Sequence, residues 1–403
     1  MTYIEVVDGS KLKVPDDPTI GYIEGDGIGS DITNVAIKSV NAAIELAYHG
    51  ERSIEWKKIL AGDEAFKETG KHLPQSSLDE IRKTVIAIKG PLTTPIGEGF
   101  RSLNVTLRQY FDLYANVRPV KYFPGVPSPV KHPENMDMVV FRENTEDLYA
   151  GIEWPYDSDE AKKLRSFLHE QFGVNLTDDT GIGIKPIGKF KSTRLVRKAI
   201  EYAIKNGRRS VTLVHKGNIM KYTEGAFKEW GYEVAAKEFP DQTIPESEFL
   251  KDPDQFQGRV VIKDRITDNM FQQVLTRTPE YDVIATPNLN GDYLSDSLAA
   301  QVGGLGLAPG ANLGDVYAIF EAVHGTAPKY AGLDVANPTS IMLSSVMMLE
   351  HLGWREAAEI MEKSIIETYK DRKVTQDIAR VLDIKPLKCS EFGNEVIKRM
   401  RGR

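Results

Sequence analysis

The chain has 403 residues, 41% of them hydrophobic and 27% charged, with a formal net charge of −7 at pH 7. That is a soluble globular composition, long enough for two or three domains. The negative balance argues against nucleic acid or an anionic membrane as the main partner. The single cysteine, Cys389, allows no internal disulfide and reads as a small buried hydrophobe in a reducing compartment. The opening stretch MTYIEVVDGSKLKV has neither the basic-then-apolar plan of a secretory signal nor the Arg-rich character of a transit peptide. No run approaches the roughly 20 apolar residues of a membrane span, so a cytoplasmic location is expected.

In chain order, the apolar run Thr19–Ile23 leads into EGDGIGSD, and helical periodicity follows over 31–48. A second run, 84–88, leads into KGPLTTP, and a third, 136–141, into RENTED. A helix is predicted over 193–206, then a strand over 211–214 leading into HKGN, another over 281–285 leading into TPNLNGD, and a helix over 340–352. Strands alternating with helices predict an α/β fold with a substantially parallel sheet. Two regions break the rhythm. Residues 147–189 read as an excursion with small antiparallel strands, and the glycine-rich stretch 301–314 as a loop system lining a site.

The polar motifs follow the carboxyl ends of the predicted strands, where open α/β sheets bind ligands, so one converging site is expected. Arg108, Arg118 and Arg142 suit a ligand with several carboxylates, because a guanidinium binds a carboxylate through two parallel hydrogen bonds. Each of them singly is also compatible with an ordinary ion pair. Asn104 lies four residues before Arg108, on the same helical face, and Ser102 is either a further ligand contact or a helix N-cap. Asp292 and Asp296, four apart, point one way from a helix, and a shared cation offsets their repulsion. For Asp292 an N-cap is the alternative. Asp268 offers a third oxygen, and oxygen ligands favour Mg²⁺ or Mn²⁺.

Lys216, after a strand, is a candidate base and Tyr149 a candidate acid, although a solvated lysine and a half-buried packing tyrosine are the usual states of such residues. GDGIG falls short of the full G-x-G-x-x-G fingerprint. The better cofactor loop is HGTAPKYAG, where Lys329 and Tyr330, with Arg380, would favour a 2′-phosphate.

The motifs IEGDGIG, GPLTTP, RSLNVTLRQYFDLYANVRPV, FRENTEDLYAGIEW, VHKGNIMKYTEGAF, NLNGDYLSDSLAAQVGG, APGANLG and HGTAPKYAG stand in this order along the whole chain. Together they resemble the bacterial-type NADP-dependent isocitrate dehydrogenases, within the isocitrate/isopropylmalate family of β-decarboxylating dehydrogenases. The resemblance implies an α/β fold of that family, distinct from the Rossmann fold. Its large domain would span 1–113 and 303–403, its small domain 114–146 and 190–302, and a clasp 147–189. It implies oxidative decarboxylation of isocitrate to 2-oxoglutarate and CO₂ with NADP and Mg²⁺ or Mn²⁺, a step of the tricarboxylic acid cycle. Ser102, Asn104, Arg108, Arg118 and Arg142 would bind isocitrate, with Tyr149 as the acid. A homodimer with shared sites is implied, Lys216 and Asp268 coming from the second subunit to serve as base and to join Asp292 and Asp296 on the metal. Lys329, Tyr330 and Arg380 would meet the 2′-phosphate. His324, Gly325 and Asn337 would meet the adenosine half, with Asn218 a further cofactor contact and Thr94 near the nicotinamide. Ser102 matches a position phosphorylated in some bacteria, where a phosphate would repel substrate. One departure is Gln376, where these enzymes usually carry a tyrosine on the 2′-phosphate. NADP preference is still expected, less strict than usual. Isopropylmalate and homoisocitrate dehydrogenases lack the Ser102–Asn104 pairing, and a non-catalytic regulatory subunit would have lost some of Tyr149, Lys216 and the aspartates.

Overall fold

In the computed structural model, which describes residues 1–93 and 102–402, the apolar runs become strands of one sheet. They are β1 (Thr19–Ile23), β2 (Glu55–Lys58), β3 (Ile86–Lys89), β4 (Ala115–Lys121), β5 (Asp137–Glu143), β6 (Ser210–His215), β7 (Thr243–Pro245), β8 (Val260–Ile266), β9 (Val283–Thr286), β10 (Pro309–Leu313) and β11 (Ala318–Ala322). Among the described residues their order across the sheet is β7-β8-β6-β9-β5-β4-β10-β11-β3-β1-β2.

The pairings run parallel from β7 to β5 and again from β11 to β2. Between these halves β5, β4, β10 and β11 pair antiparallel. The two parallel halves therefore point in opposite directions. The sheet is substantially parallel, as the sequence implies, but the strands do not share a single carboxyl edge. The two edges meet because the register overlaps at the centre: Asn116 on β4 faces both Arg142 and Asn312, and Glu321 on β11 faces Lys89.

Strand β10 falls within the stretch expected to be loop. Its sequence PGANL has no β-branched residue, so the usual strand signal is missing. Its backbone is held from both sides by β4 and β11, and the amide of Gly310 donates to Ser344 Oγ on helix Thr339–His351. Helix Lys189–Lys205 starts earlier than its apolar period suggests, because the Gly188 amide that opens it is fixed by the Glu146 carboxylate at 2.9 Å.

Packing differs on the two faces. On one, Ile86, Ile88, Val117, Phe141, Ala311 and Phe320 join a single core with helices Gly29–Tyr48, Thr339–His351 and Arg355–Lys370. The other face is divided. Ala87 and Ile319 pack with helix Leu103–Tyr110, while Val140 and Ile284 pack with helix Asn288–Gln301. Between these clusters lies a lane of buried polar side chains: Lys89, Asn116, Arg118, Asn312 and Glu321.

Residues 147–189 include two short antiparallel strands, Glu153–Trp154 and Ile182–Gly183, and a helix, Asp159–Phe172, beyond the small strands expected. That helix carries an apolar stripe (Ala161, Leu164, Leu168 and Phe172) but buries only Ala161 and Arg165; its end signals are the Ser158 cap on the Ala161 amide and Gly173 in the left-handed region.

Helix Cys389–Arg401 packs against helix Gly29–Tyr48 through Gly393, where an added Cβ would lie 2.4 Å from Val35 Cγ1. Valine is stiff at χ1 and has little room to yield. Gly393→Ala should therefore cost about 1–3 kcal/mol through overpacking. Urea unfolding would read this as a lower midpoint, and an unchanged midpoint would contradict the packing described here.

Candidate active site

The polar lane is one connected network. Arg118 Nε donates to Asn116 Oδ1 at 2.8 Å, Asn116 Nδ2 to Asn312 Oδ1 at 2.8 Å, and Asn312 Nδ2 to Glu321 Oε1 at 2.7 Å. Glu321 also pairs with Lys89 at 2.6 Å and with Arg108 at 2.9 Å. Arg108 reaches it from helix Leu103–Tyr110, which buries Leu103 and Leu107 beside it. On the other side Arg118 Nη1 donates to Ser295 Oγ at 2.7 Å and Asp296 at 3.1 Å. Arg142, 1% exposed, donates through Nε to Asn288 at 2.8 Å and pairs through Nη1 with Asp292. Tyr149 Oη donates to the other Asp292 oxygen at 2.6 Å, and the Arg142 guanidinium lies 4.8 Å from the Tyr149 ring centre. The three arginines, Tyr149, Asp292 and Asp296 thus converge on one site.

Several donors and acceptors there are buried without a partner among the described residues: Arg108 Nε, Arg142 Nη2 and Asn104 Oδ1. Leaving a buried polar group unpaired costs about 1–3 kcal/mol, more for a charged one, so such groups mark a surface shaped for a ligand. Ser102 sits at the N-cap position of its helix, yet its side chain makes no capping hydrogen bond. Asn104 and Arg108 lie on that same helix.

The charges act on one another. Burial, then the neighbouring Arg118 and Arg108, pushes Arg142 down to about 9. Burial and the bond to Asp292 push Tyr149 up to about 12, so it carries its proton at neutral pH. Asp292 is held below the usual carboxylate range: burial opposes this, but the Arg142 charge and the Tyr149 hydroxyl outweigh it. Burial raises Asp296 in spite of Arg118.

Lys216 and Asp268 form a second, separate pair. Lys216 follows β6, Asp268 opens helix Thr267–Thr276, and their side chains bond to each other. Asn218 is exposed on the same turn as Lys216. Among the described residues no group of three His, Cys, Asp or Glu side chains gathers as a metal site. Within one chain, then, Asp292 and Asp296 stand as a pair of oxygen donors without Asp268.

A cleft of about 340 Å³ opens beyond β11, lined by Ile28, Gly306, His324, Gly325, Tyr330, Asn337, Gln376, Asp377 and Arg380 among others. His324 Nδ1 meets the Gly325 carbonyl at 3.0 Å, its Nε2 is buried without a partner among the described residues, and burial holds the ring below its ordinary range. The Asn337 amide is spent on the wall, donating to Asp377 at 3.0 Å and Tyr369 at 3.1 Å. Lys329 is exposed beside the cleft, its ammonium 4.8 Å from the Tyr330 ring centre. Thr94 lies outside the described residues.

The GDGIG loop has a structural task. Asp26 accepts from the amides of Asp63 at 2.8 Å and Thr93 at 2.7 Å, and the Ile28 amide donates to Thr326 at 2.9 Å. A Cβ on Gly27 would lie 2.0 Å from the Thr326 carbonyl. The glycines let two loops touch, and Ile28 becomes a wall of the cleft.

The isocitrate/isopropylmalate dehydrogenase family model matches residues 19–396. The chain is 54% identical to an NADP isocitrate dehydrogenase of Archaeoglobus fulgidus, covering 98% of this chain and 95% of that one. It is 56% identical to one of Pseudomonas aeruginosa, covering 96% and 95%. The crystal structure of isocitrate dehydrogenase from Methylococcus capsulatus superposes with a TM-score of 0.78 at 38% identity, covering 95% and 99%. The chain belongs to the isocitrate/isopropylmalate dehydrogenase family.

For this family member, sequence reasoning missed the residues that hold the site rather than line it. Glu321 in AIFEA and Lys89 in IAIK are each a lone charge inside a buried strand run. Two opposite charges in such places signal a buried pair. Asn116, Asn312 and Ser295 carried no comparable signal.

The two cations paired with Glu321 test the lane. The Lys89 and Arg108 charges outweigh burial and hold Glu321 well below the ordinary 4.5. A carboxylate with a depressed folded value stabilises above its unfolded value, and that stability is lost as pH falls. Glu321→Gln should cost about 3–5 kcal/mol at neutral pH, because it strands two buried cations. Urea unfolding should show the deficit shrinking on acidification below 4.5. A deficit that stays constant across that range would contradict the pairing.

Proposed function

We propose that this chain oxidises isocitrate and decarboxylates it to 2-oxoglutarate and CO₂, with NADP as hydride acceptor and Mg²⁺ or Mn²⁺ as the metal. The observation that carries this reading is the joining of Arg108, Arg118 and Arg142 with Asp292 and Asp296 in one site, beside a cleft that begins three residues after Glu321. Three guanidinium groups match three carboxylates. Two aspartates on one helical turn fit a hard divalent cation. Asp292 and Asp296 would hold the metal, which would supply Lewis acidity toward the substrate oxygens, and NADP would supply the hydride acceptor.

The chain's own residues supply the rest. The arginines, with Ser102 and Asn104, hold the carboxylates. Tyr149, kept protonated by burial and Asp292, gives its proton to carbon. Lys216 receives the hydroxyl proton. Lys216 and Asp268 bond to each other and, among the described residues, form no hydrogen bond or ion pair with Tyr149, Asp292 or Asp296, which supports their serving the site of a second copy in a homodimer with shared sites. The 147–189 excursion supports this: Phe167, Phe172, Ile184 and Tyr156 are exposed apolar side chains on it that a second clasp would cover. The domain division is 1–113 with 303–403, and 114–146 with 190–302. No helix among the described residues is long and apolar enough to cross a membrane, in keeping with a cytoplasmic enzyme.

Cleft residues Lys329, Tyr330 and Arg380 take the 2′-phosphate, and Gln376 lines the same wall without a phenol. His324, Gly325 and Asn337 shape the adenosine end, and Asn218 reaches the cofactor from the Lys216 turn.

Purified protein should make NADPH from isocitrate only with Mg²⁺ or Mn²⁺ present. No metal-dependent NADPH would overturn the function. Shared sites are tested by refolding Tyr149→Phe together with Lys216→Met. Each alone should be nearly inactive, whereas mixed dimers keep one intact site and regain up to about half the wild-type activity per dimer. A mixture as inactive as its parts would remove the sharing.

Cofactor choice is separate. Lys329→Asp with Tyr330→Ile should lower kcat/KM for NADP far more than for NAD, by roughly 100-fold or more if two charge-assisted contacts are lost. An unchanged ratio would remove both residues from phosphate recognition.

A further inference from the structure

A second buried ion chain lies behind the catalytic turns and makes no contact with the three arginines among the described residues. The Asp147 carboxylate pairs with Lys185, whose ammonium lies 3.0 Å from Glu224 Oε1. Both carboxylate side chains are sealed from solvent, at 1% and 0% exposure. Lys185 comes from the 147–189 excursion, just after strand Ile182–Gly183.

Each end of this chain is tied to a different piece of the chemistry. Asp147 precedes Tyr149 by two residues and holds a left-handed backbone, φ 66°. Its Oδ1 accepts from the Leu148 amide at 2.8 Å, and its Oδ2 from the Leu289 amide at 2.9 Å. Leu289 lies in the first turn of helix Asn288–Gln301, which bears Asp292 and Asp296. At the other end Glu224 Oε2 accepts from the Lys216 amide at 2.5 Å and from Asn290 Nδ2 at 2.7 Å. The turn with the acid, the helix with the aspartates and the turn with the lysine are thereby bolted to one ammonium group. Two buried carboxylates repel each other and are costly to bury; a cation between them reverses both effects. Asp147 in a left-handed backbone is a strained arrangement that persists only where its surroundings enforce it.

We propose that Lys185, with Asp147 and Glu224, is a positioning group that sets the Tyr149 turn, the Asp292 helix and the Lys216 turn relative to one another. This rests on the reading of Tyr149 and Lys216 given above. In a dimer with shared sites those two residues of one chain serve different sites, so the ion chain also ties the geometry of one site to that of the other.

The test is Lys185→Met, which keeps most of the side-chain length and removes the charge, assayed as the dimer with isocitrate, NADP and Mg²⁺. Turnover should fall roughly 10- to 100-fold, as expected when supporting groups are lost or reacting groups shift by about an ångström. KM for isocitrate should move less than about threefold, because the arginines are held by other partners. Lys185→Arg should recover part of kcat. Glu224→Gln keeps a carbonyl acceptor for the Lys216 amide, and combined with Lys185→Met it should add little further loss. A folded Lys185→Met with kcat within twofold of wild type overturns the proposal, as does an equal loss of kcat and isocitrate affinity. If Lys185→Met does not fold, Glu224→Gln and Lys185→Arg are read by the same criteria. Failure of all three to fold also overturns it, since the ion chain then governs folding and not placement. Wild-type protein assayed alongside separates the two readings: an inactive wild type sinks the function, an active one with unaffected variants sinks only the positioning role.

Discussion

Charge buried in the middle of a sheet has to be balanced, and the rest of this molecule follows from how that is done. Lys89, Arg108, Arg118 and Arg142 are buried against three carboxylates, Glu321, Asp292 and Asp296. The site therefore carries one positive charge in excess. A tricarboxylate bound with a divalent cation brings one negative charge. The proposed ligands neutralise the lane, whereas a tricarboxylate alone would overshoot it. This charge count supports the proposed binding of a divalent cation together with the tricarboxylate.

The lane also explains the sheet. Two parallel halves of opposite sense would present their ligand-binding edges away from each other. The antiparallel strands β4 and β10 bring those edges into overlap, and their paired positions are filled by Asn116 and Asn312. Asparagines at that point bond to each other and to a charged neighbour on either side. An apolar pair there would fuse the two core clusters of that face and leave Arg118 and Glu321 without their bridge.

Much of this was legible in the sequence, and the exceptions have identifiable causes. Arg142 and Lys216 stand out in the sequence because each follows an apolar run, Asp292 and Asp296 because they lie four apart, and Tyr149 because it closes the polar stretch RENTEDLY. What local pattern cannot encode is pairing across the sheet. The opposite sense of the two halves depends on β10, whose PGANL sequence looks like a turn until its neighbours are in place. Asp159–Phe172 has helical apolar spacing but lies in a stretch rich in glycine, proline and charge, which reads as short strands; its Phe167 and Phe172 stay exposed.

The division of labour in the site follows from the same geometry. Arg118 and Arg142 stand on strands locked by ladder hydrogen bonds on both sides, so the groups proposed to bind substrate rest on regular sheet. Tyr149 and Lys216 stand on turns, and Asp292 and Asp296 on a helix packed against the sheet through Leu294 and Leu298. Turns have no ladder of their own. Their placement needs an independent support, and the ion chain Asp147–Lys185–Glu224 reaches all three elements. That lysine lies in the excursion whose outer surface is apolar. If the proposed clasp contact forms there, it bears on the segment that also anchors the Tyr149 turn, and pairing of chains and alignment of the proposed catalytic groups become parts of one mechanical arrangement.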